Sequence, residues 1–351
     1  MKSEDPEKSI LSMLPIMELR RAPGEGILPT EAEILDIVGL EHSAPGSHIF
    51  RSPLMEPLER FFSHQGKLIR SDFVDFGFRT FSLNEPSERQ KFRMQHAANL
   101  IEALHCGSMV IDDIEDSSLY RRGQPALYVQ YGLPVALNAA NWLMFRALDQ
   151  LPALELDPVL ETALHRFVNR ILVQAHFGQA VDVGVKISNL PQTKVAETCL
   201  TIIELKTGAL MTLAFNLGAA LSNQMPSLDH EGSRFARRFG MTLQMLDDLQ
   251  NLKAPPPKGL EDLRNDRGSF IWMVAARTSS PEDFSDFISA VKQLPDETPL
   301  QAWLAKHDLT RRAQKIAHDF LYSGLEDWRA RPREYAFLES LCKKLESAYE
   351  I

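Results

Sequence analysis

The chain has 351 residues, of which 44% are hydrophobic and 24% are charged, enough for a large core and long for one ordinary domain. Its formal net charge of −9, with no dense basic run, argues against nonspecific nucleic-acid binding. Three scattered cysteines (Cys106, Cys199 and Cys342) show no CxxC spacing, which excludes the usual zinc motifs and fits a reducing compartment.

The amino terminus is polar and charged rather than signal-like, and no uninterrupted apolar span approaches membrane length. We therefore expect a cytoplasmic protein without stable membrane insertion. Residues 1–50, rich in proline and glycine, are predicted to form a partly irregular extension. One short helix is expected there, at Glu31–Gly39 with Thr30 as its N-cap.

Residues 51–351 show apolar spacings of three and four almost throughout, which is typical of helices. The pattern shows no β-hairpin signal and no repeat of fixed period. It predicts an all-α, single-domain helical bundle around a central cavity. The helices that can be bounded from the sequence are 88–109, 135–151, 158–177, 194–222, 233–252, 268–278, 281–294, 299–306, 309–323 and 333–349.

The first acidic motif follows an apolar approach and contains Asp112, Asp113 and Asp116. On a helix, Asp112 and Asp116 lie one turn apart, so their charges repel unless a cation sits between them. Carboxylates in this arrangement suit Mg²⁺, which binds one or two carboxylates plus phosphate oxygens. Arg121 and Arg122 follow at once, and the combination predicts a site for a diphosphate that carries its own metal.

A second acidic motif, with Asp247, Asp248 and Asn251, again follows an apolar approach. One acidic run alone is more often a solvated helix face. Two such helices are better explained as facing walls of one metal site.

Further polar signals are weaker alone. Lys67 and Arg70, just after Gly66, suit an anion at a helix N-terminus, although surface cations are the simpler explanation. Lys206, Thr207 and Gly208 interrupt an apolar helix and suit a phosphate contact with a kink, whereas a snorkelling lysine is the alternative. A proline-rich loop followed by charged residues, near 253–267, suits a flap that closes over a phosphorylated ligand.

Taken in order, these motifs resemble those of the trans-isoprenyl diphosphate synthases over about residues 51–350, and most of all eukaryotic-type geranylgeranyl diphosphate synthases. The resemblance implies a prenyltransferase that condenses isopentenyl diphosphate with an allylic diphosphate (dimethylallyl, geranyl or farnesyl). It also implies a homodimer and three Mg²⁺ ions. Departures from the family pattern are Ser71 after Arg70, arginine rather than lysine at Arg267, and a short flap.

The resemblance also assigns roles to residues. The metal ligands are Asp112, Asp116 and Asp247, with Asp248 beside them and Asp113 in support, and Lys206 joins the catalytic set. The allylic diphosphate is held by Arg121, Lys206, Thr207, Gln244, Lys258 and Arg267. The isopentenyl diphosphate is held by Gly66, Lys67, Arg70, His105 and Arg122.

In this family, the residues four and five before the first aspartate largely set the length of the product. Here they are Ser108 and Gly107, both small, which argues against a short farnesyl product. We expect a C20 product, geranylgeranyl diphosphate, with C25 or longer left open. The tail of the growing chain is expected in an apolar channel between helices. Leu104 and Ile101 form the next layer of that channel, and Trp142 or Met144 could close its end.

Two alternatives remain. A class I terpene cyclase would carry an Asn-Asp-x-x-Ser-x-x-x-Glu pattern; Asn265, Asp266 and Ser269 mimic its start, but Met273 stands at its end. A non-catalytic regulatory subunit of a heteromeric synthase would typically have lost aspartates that are present here.

Overall fold

The computed structural model describes residues 26–37, 51–63, 69–82, 84–254 and 259–349, and helices dominate them, which confirms the all-α prediction. The α-helices are α1 (Glu31–Ile37), α2 (Glu56–Phe62), α3 (Ile69–Phe81), α4 (Glu88–Asp116), α5 (Leu127–Tyr131), α6 (Leu133–Asp149), α7 (Pro158–Gly184), α8 (Gln192–Ile203), α9 (Ala209–Leu221), α10 (Glu231–Asn251), α11 (Glu261–Arg264), α12 (Phe270–Thr278), α13 (Pro281–Val291), α14 (Thr298–Lys306), α15 (Leu309–Ser323) and α16 (Pro332–Tyr349).

Shorter elements connect these helices. Two π-helical turns lie at Arg51–Met55 and Glu204–Gly208, and 3₁₀ turns at Leu151–Leu154, Ile187–Asn189 and Glu326–Trp328. One antiparallel hairpin joins β1 (Tyr120–Arg121) to β2 (Gln124–Pro125), with Tyr120 opposite Pro125 and Arg121 opposite Gln124. This hairpin was not predicted, because two residues per strand are too few for an alternating pattern.

Contacts between Cα atoms divide the chain into two compact units. The amino-terminal unit comprises, among the described residues, those within 26–166 and 214–226. The carboxy-terminal unit comprises, among described residues, 167–213 and 227–349. The predicted division at residue 50 stays a prediction.

The described part of the extension packs on the amino-terminal unit. Thr30 begins α1 as predicted: its Oγ1 accepts a hydrogen bond from the amide of Glu33 (3.3 Å), and its own amide donates to Glu33 Oε2 (2.8 Å). Arg146 of α6 donates to Glu33 Oε1 (3.2 Å) and to the Ile27 carbonyl (3.4 Å). These contacts hold residues 26–37 against α6.

Close helix contacts form the core of the amino-terminal unit. At Gly77 of α3, a Cβ atom would overlap the Phe215 carbonyl; at Gly218 it would overlap the Val74 carbonyl. Only glycines allow two helix backbones to approach this closely. The Phe76 and Phe215 rings pack beside this crossing, with centroids 5.2 Å apart.

An aromatic cluster forms part of the core of the carboxy-terminal unit. The Trp272 ring lies 5.0 Å from Phe287, which lies 4.7 Å from Trp303. The helices α12, α13 and α14 that carry these rings therefore share one apolar interior.

The stretch Gln192–Leu221 is long and apolar enough to cross a membrane by length and composition alone. Of its most apolar window, 61% is buried inside the protein, as expected of a core helix. The sequence analysis predicted one helix here with an irregularity at Gly208, and the π-helical turn at Glu204–Gly208 is that irregularity.

Gly77→Ala should destabilise the protein by about 2 kcal/mol or more, because the added methyl forces α3 from the α9 backbone. The matched control is Gly184→Ala at the end of α7, where a Cβ meets no atom within 4 Å. Urea unfolding midpoints measure both changes. Equal midpoints for the two variants would contradict the backbone contact.

Candidate active site

The first acidic motif occupies the last turns of α4. Asp113 is only 1% exposed, and Arg121 donates from Nε to its Oδ1 at 2.8 Å. A buried carboxylate is costly unless it is paired, so Arg121 stabilises Asp113 in its ionised form. Asp112 and Asp116 are half-buried and four residues apart, so they share a helix face. The motif thus separates one structural carboxylate from two that can meet a ligand.

The hairpin after α4 places Arg122 in its turn. Arg122 and Gly123 are the two loop residues, with φ of 51° and 75°. A two-residue loop with both φ values positive is a type I′ turn, which favours Asn or Gly at its first position. An arginine there costs about 1 kcal/mol in backbone energy, and such strain is concentrated at functional sites. The Arg121–Asp113 ion pair ties this turn to α4.

Arg70, His105 and Arg122 lie close enough to interact electrostatically. The pKa of His105 is lowered well below its usual value, first by burial and then by the positive charges of Arg70, Arg122 and Arg121. His105 is therefore neutral near pH 7 within a ring of guanidinium groups. Three of the five residues predicted for the isopentenyl diphosphate site thus come together, whereas Gly66 and Lys67 lie outside the described residues.

A cleft beside this cluster contains a guanidinium that the sequence analysis missed. Arg60 lines it together with Phe61, Arg121 and Arg122. Arg60 Nε donates to Gln130 Oε1 (2.6 Å), whose amide nitrogen donates to a hairpin carbonyl (2.6 Å). Arg60 is an exposed residue of α2, next to Glu59, and nothing in its spacing to the hairpin signals the contact.

The second acidic motif, in α10, likewise contains a buried aspartate next to a half-buried one. Asp248 is 3% exposed; its Oδ2 accepts from the Phe270 amide (2.7 Å) and its Oδ1 from Gln244 Nε2 (2.8 Å). Burial, followed by the nearby charge of Asp262, raises the pKa of Asp248 well above its usual value. Both oxygens of Asp248 thus bind the scaffold, and its metal-ligand role, predicted with Asp247, stays a prediction.

Asp247 is half-buried, and its Oδ1 accepts a hydrogen bond from the Tyr349 hydroxyl of α16 (2.5 Å). Tyr349 was absent from the predicted site because more than 100 residues separate it from Asp247 in sequence. Asn251, one turn beyond Asp247, ends α10.

Two glycines bring α10 against the π-helical turn that carries Lys206 and Thr207. A Cβ on Gly240 would lie 2.8 Å from the Thr207 carbonyl, and one on Gly208 would lie 3.1 Å from Arg237 Cγ. One turn beyond Gly240, Gln244 accepts a hydrogen bond from the Thr207 hydroxyl (3.0 Å). The contact unites the predicted residues Thr207 and Gln244, and π-helical turns of this kind are frequent at functional sites.

Asp182, at the end of α7, organises two predicted diphosphate cations. Lys206 Nζ donates to its Oδ2 (2.6 Å), and the Gly268 amide donates to its Oδ1 (3.0 Å). Arg267 Nη1 donates to the Asp182 carbonyl (3.1 Å). Arg267 is buried in this cluster, whereas Lys258, the other predicted flap cation, lies outside the described residues.

The donor chemistry of both motifs fits Mg²⁺. Within the ranges that the structure describes, no three His, Cys, Asp or Glu side chains converge to hold a metal by themselves. Magnesium usually takes only one or two carboxylates and completes its shell with water and phosphate oxygens. The half-buried pair Asp112 and Asp116 supplies such ligands.

Comparison with known proteins agrees with these motifs. The family model for polyprenyl synthetase matches residues 51–304. A geranylgeranyl pyrophosphate synthase of Penicillium canescens is 30% identical over 258 residues, covering 71% of each chain. One of Hericium erinaceus is 28% identical over 291 residues, covering 75% of this chain and 82% of the relative. A copalyl diphosphate synthase of Talaromyces verruculosus is 31% identical over 254 residues, but only 24% of its length is covered.

Solved structures share the fold. A T. brucei farnesyl diphosphate synthase complexed with bisphosphonate superposes with a TM-score of 0.76 at 18% identity, covering 98% of this chain and 99% of that chain. A geranylgeranyl pyrophosphate synthetase from Pyrococcus horikoshii gives 0.68 at 21% identity, covering 97% and 99%. At these identities the likeness establishes the fold alone.

His105→Gln should reduce the loss of folding stability that accompanies a fall in pH. Folded His105 resists protonation, so as pH falls below about 6.5 the unfolded chain binds a proton that the folded chain does not. Stability is therefore lost as pH falls through this window, by up to about 1.4 kcal/mol per pH unit. Denaturant unfolding from pH 7.5 to 5 measures the slope.

The matched control for this prediction is His165→Gln on the exposed face of α7. Its slope should equal that of the wild type. If His105→Gln also leaves the slope of stability against pH unchanged, the prediction that folded His105 resists protonation is wrong.

Proposed function

Because the chain belongs to the polyprenyl synthetase family, we propose that it is a Mg²⁺-dependent synthase joining isopentenyl diphosphate to an allylic diphosphate. That it is a prenyltransferase follows from the family and from its geranylgeranyl pyrophosphate synthase relatives. The proposal adds the metal, the two substrates and a C20 product, geranylgeranyl diphosphate.

The cluster of Arg70, His105 and Arg122 carries the proposal. An elongating synthase needs two separate diphosphate sites, one for each substrate. Guanidinium groups bind phosphate oxygens in pairs, and a neutral imidazole can donate a further hydrogen bond. Their placement around one another, in the unit that also holds the first acidic motif, supports an isopentenyl diphosphate site there.

The acidic motifs serve the allylic substrate in this proposal. By the family pattern Asp112, Asp116 and Asp247 would hold three Mg²⁺ ions, with Asp113 and Asp248 in support. Such ions would neutralise the charge of the departing diphosphate. Asp113 has a second task, since its ion pair with Arg121 orients a guanidinium for the same diphosphate.

The resemblance to the family also assigns cations of the carboxy-terminal unit to the allylic diphosphate. Asp182 holds Lys206 in one orientation, which reduces the entropy lost on phosphate binding. Arg267 and the flap residue Lys258 add further positive charge. Thr207 and Gln244 are hydrogen-bonded to each other. Their dipoles stabilise the allylic cation.

The reaction proceeds from this charge arrangement. The allylic C–O bond breaks as the residues above stabilise the leaving diphosphate. The double bond of isopentenyl diphosphate, held by its own cations, attacks the allylic carbon and forms the new C–C bond. The released diphosphate then accepts the proton lost from the adjacent carbon, so no side chain is proposed as the base.

A terpene cyclase is less well supported. Asp266, in the sequence that mimics the cyclase motif, has φ of 59° and accepts hydrogen bonds from the Ser188 amide (2.9 Å) and hydroxyl (2.6 Å). Those bonds give Asp266 a structural task in a turn. A regulatory subunit is also disfavoured, because both acidic motifs keep their half-buried carboxylates.

Product analysis tests the function directly. The purified protein is incubated with isopentenyl diphosphate, Mg²⁺ and dimethylallyl, geranyl or farnesyl diphosphate in turn, and products are identified by mass spectrometry. We expect geranylgeranyl diphosphate from each starter. Hydrocarbon formed from geranylgeranyl diphosphate alone would instead indicate a cyclase, and inactivity rescued by a partner protein would indicate a regulatory subunit.

The product length is proposed to depend on Ser108. Its hydroxyl donates to the His105 carbonyl, and the side chain is half-buried. At Gly107, by contrast, a Cβ would lie 2.9 Å from the Ala140 carbonyl and 3.4 Å from Met144 Cγ. A large residue at 107 would therefore push α4 from α6, so the predicted chain-length effect is best tested at Ser108.

Ser108→Phe should shorten the main product to C15, because an aromatic ring on this face of α4 blocks the growing chain. The matched control is Ser285→Phe on the exposed face of α13, which should leave the product unchanged. Mass spectrometry of the products measures both. An unchanged C20 product from a folded Ser108→Phe variant would show that position 108 does not limit the length of the product.

We also propose a homodimer that uses the outer face of α6. Leu133, Leu137 and Phe145 recur at intervals of four or eight residues, and Phe145 is 70% exposed. Large apolar side chains aligned on one exposed face are typical of a subunit interface.

Phe145→Glu should shift the protein from dimer to monomer, because a charge in an apolar interface would be buried without a partner. Met225→Glu is the control at an exposed apolar side chain outside α6. Sedimentation velocity measures the mass of each variant. A dimer that persists in Phe145→Glu at micromolar concentration would place the interface elsewhere.

A cytoplasmic location remains a proposal. Cys106, Cys199 and Cys342 are all buried and free, as in proteins of reducing compartments. Burial raises the pKa of the Cys106 thiol well above its usual value, which disfavours the reactive thiolate.

A further inference from the structure

Tyr349 of α16 contacts Asp247 of the second acidic motif, because its hydroxyl donates a hydrogen bond to Asp247 Oδ1. Its ring ends the buried stripe of α16, formed by Phe337, Leu338, Leu341, Cys342, Leu345 and Tyr349. The residue is 7% exposed, so packing fixes the position of its hydroxyl. We propose that Tyr349 is a positioning residue for Asp247, and this inference rests on the proposed metal role of that aspartate.

The direction of the hydrogen bond is fixed by chemistry. An ionised carboxylate only accepts, so the phenol hydroxyl donates to Asp247 Oδ1. A hydroxyl that donates to a carboxylate forms a charge-assisted bond, which is about twice as strong as a neutral one. The bond therefore helps to fix the position of the Asp247 carboxylate.

The two aspartates of the motif depend on different supports. Asp248 is held by an amide and a glutamine side chain, whereas half-buried Asp247 accepts a hydrogen bond from the Tyr349 hydroxyl. Ordering a side chain costs conformational entropy. The Tyr349 hydroxyl contributes to ordering the Asp247 carboxylate before a metal binds, which lowers that entropic cost.

A hydroxyl on the carboxylate is compatible with a metal on it. A carboxylate offers about four lone-pair positions, and metal-binding carboxylates commonly accept a further hydrogen bond from the protein. Loss of such a partner typically weakens metal binding about 10- to 100-fold. Tyr349 thus couples the end of α16 to the affinity of the acidic motif for its cation.

The test compares Tyr349→Phe with Tyr322→Phe. Both changes remove one hydroxyl from a tyrosine that donates to a carboxylate; Tyr322 donates to Glu346 at 2.8 Å, between α15 and α16. The thermal unfolding midpoint is followed as Mg²⁺ is added at fixed inorganic diphosphate. We expect Tyr349→Phe to need about 10-fold more Mg²⁺ for half of the stabilisation, whereas Tyr322→Phe matches the wild type.

Asp247→Asn separates positioning from a purely structural role. In that background the amide is a poor metal ligand, so Tyr349→Phe should change the remaining Mg²⁺ dependence no further. An unchanged Mg²⁺ dependence in the single variant would overturn the inference while leaving the proposed function intact. Tighter Mg²⁺ binding would also overturn it, since the hydroxyl would then compete with the metal. A wild type that Mg²⁺ and diphosphate do not stabilise would overturn both.

Discussion

A buried carboxylate must be compensated within the protein, and this constraint shapes both acidic motifs. Asp113 is ion-paired with Arg121, and Asp248 accepts hydrogen bonds from a helix amide and Gln244. In each case at least one compensating group, Arg121 or the Phe270 amide, belongs to a different element of the same unit. The need to satisfy one aspartate therefore fixes the hairpin against α4 and the start of α12 against α10. The preceding aspartate in each motif, Asp112 or Asp247, points about 100° away around the helix axis. It is half-buried and can contact a ligand.

Helical periodicity was sufficient to predict the class and most helices of the fold. Predicted and observed boundaries differ mainly where polar residues continue a helix, as in α4, which reaches Asp116 rather than Met109. The β1–β2 hairpin could not be predicted, because its turn has an arginine where asparagine or glycine is usual. The π-helical turn was anticipated only as a possible kink at Gly208.

Site residues were predictable when their neighbours in sequence showed a pattern, and otherwise not. Asp112, Asp116 and Asp247 stand out because paired carboxylates after apolar turns are unfavourable without a cation. Arg60 and Tyr349 act through contacts between elements distant in sequence, which no local pattern reveals. Spacing also could not show that the Cβ direction at Gly107 points to the α6 backbone. Local sequence patterns thus predict candidate ligand-binding groups better than the groups that contact them from distant elements.

The contact between Gly240 and Thr207 has a further meaning for α10. Gly240, Gln244 and Asp247 are spaced by four and three residues, so all three lie along one edge of the helix. The glycine contact fixes the position of α10 along its axis. Gln244 and Asp247 then lie about 6 and 10 Å further along that axis, at 1.5 Å per residue. Sliding α10 by one residue would remove the glycine from its contact and misplace both side chains at once. The register of a single helix therefore sets the distance from the Gly240–Thr207 contact to Gln244 and Asp247.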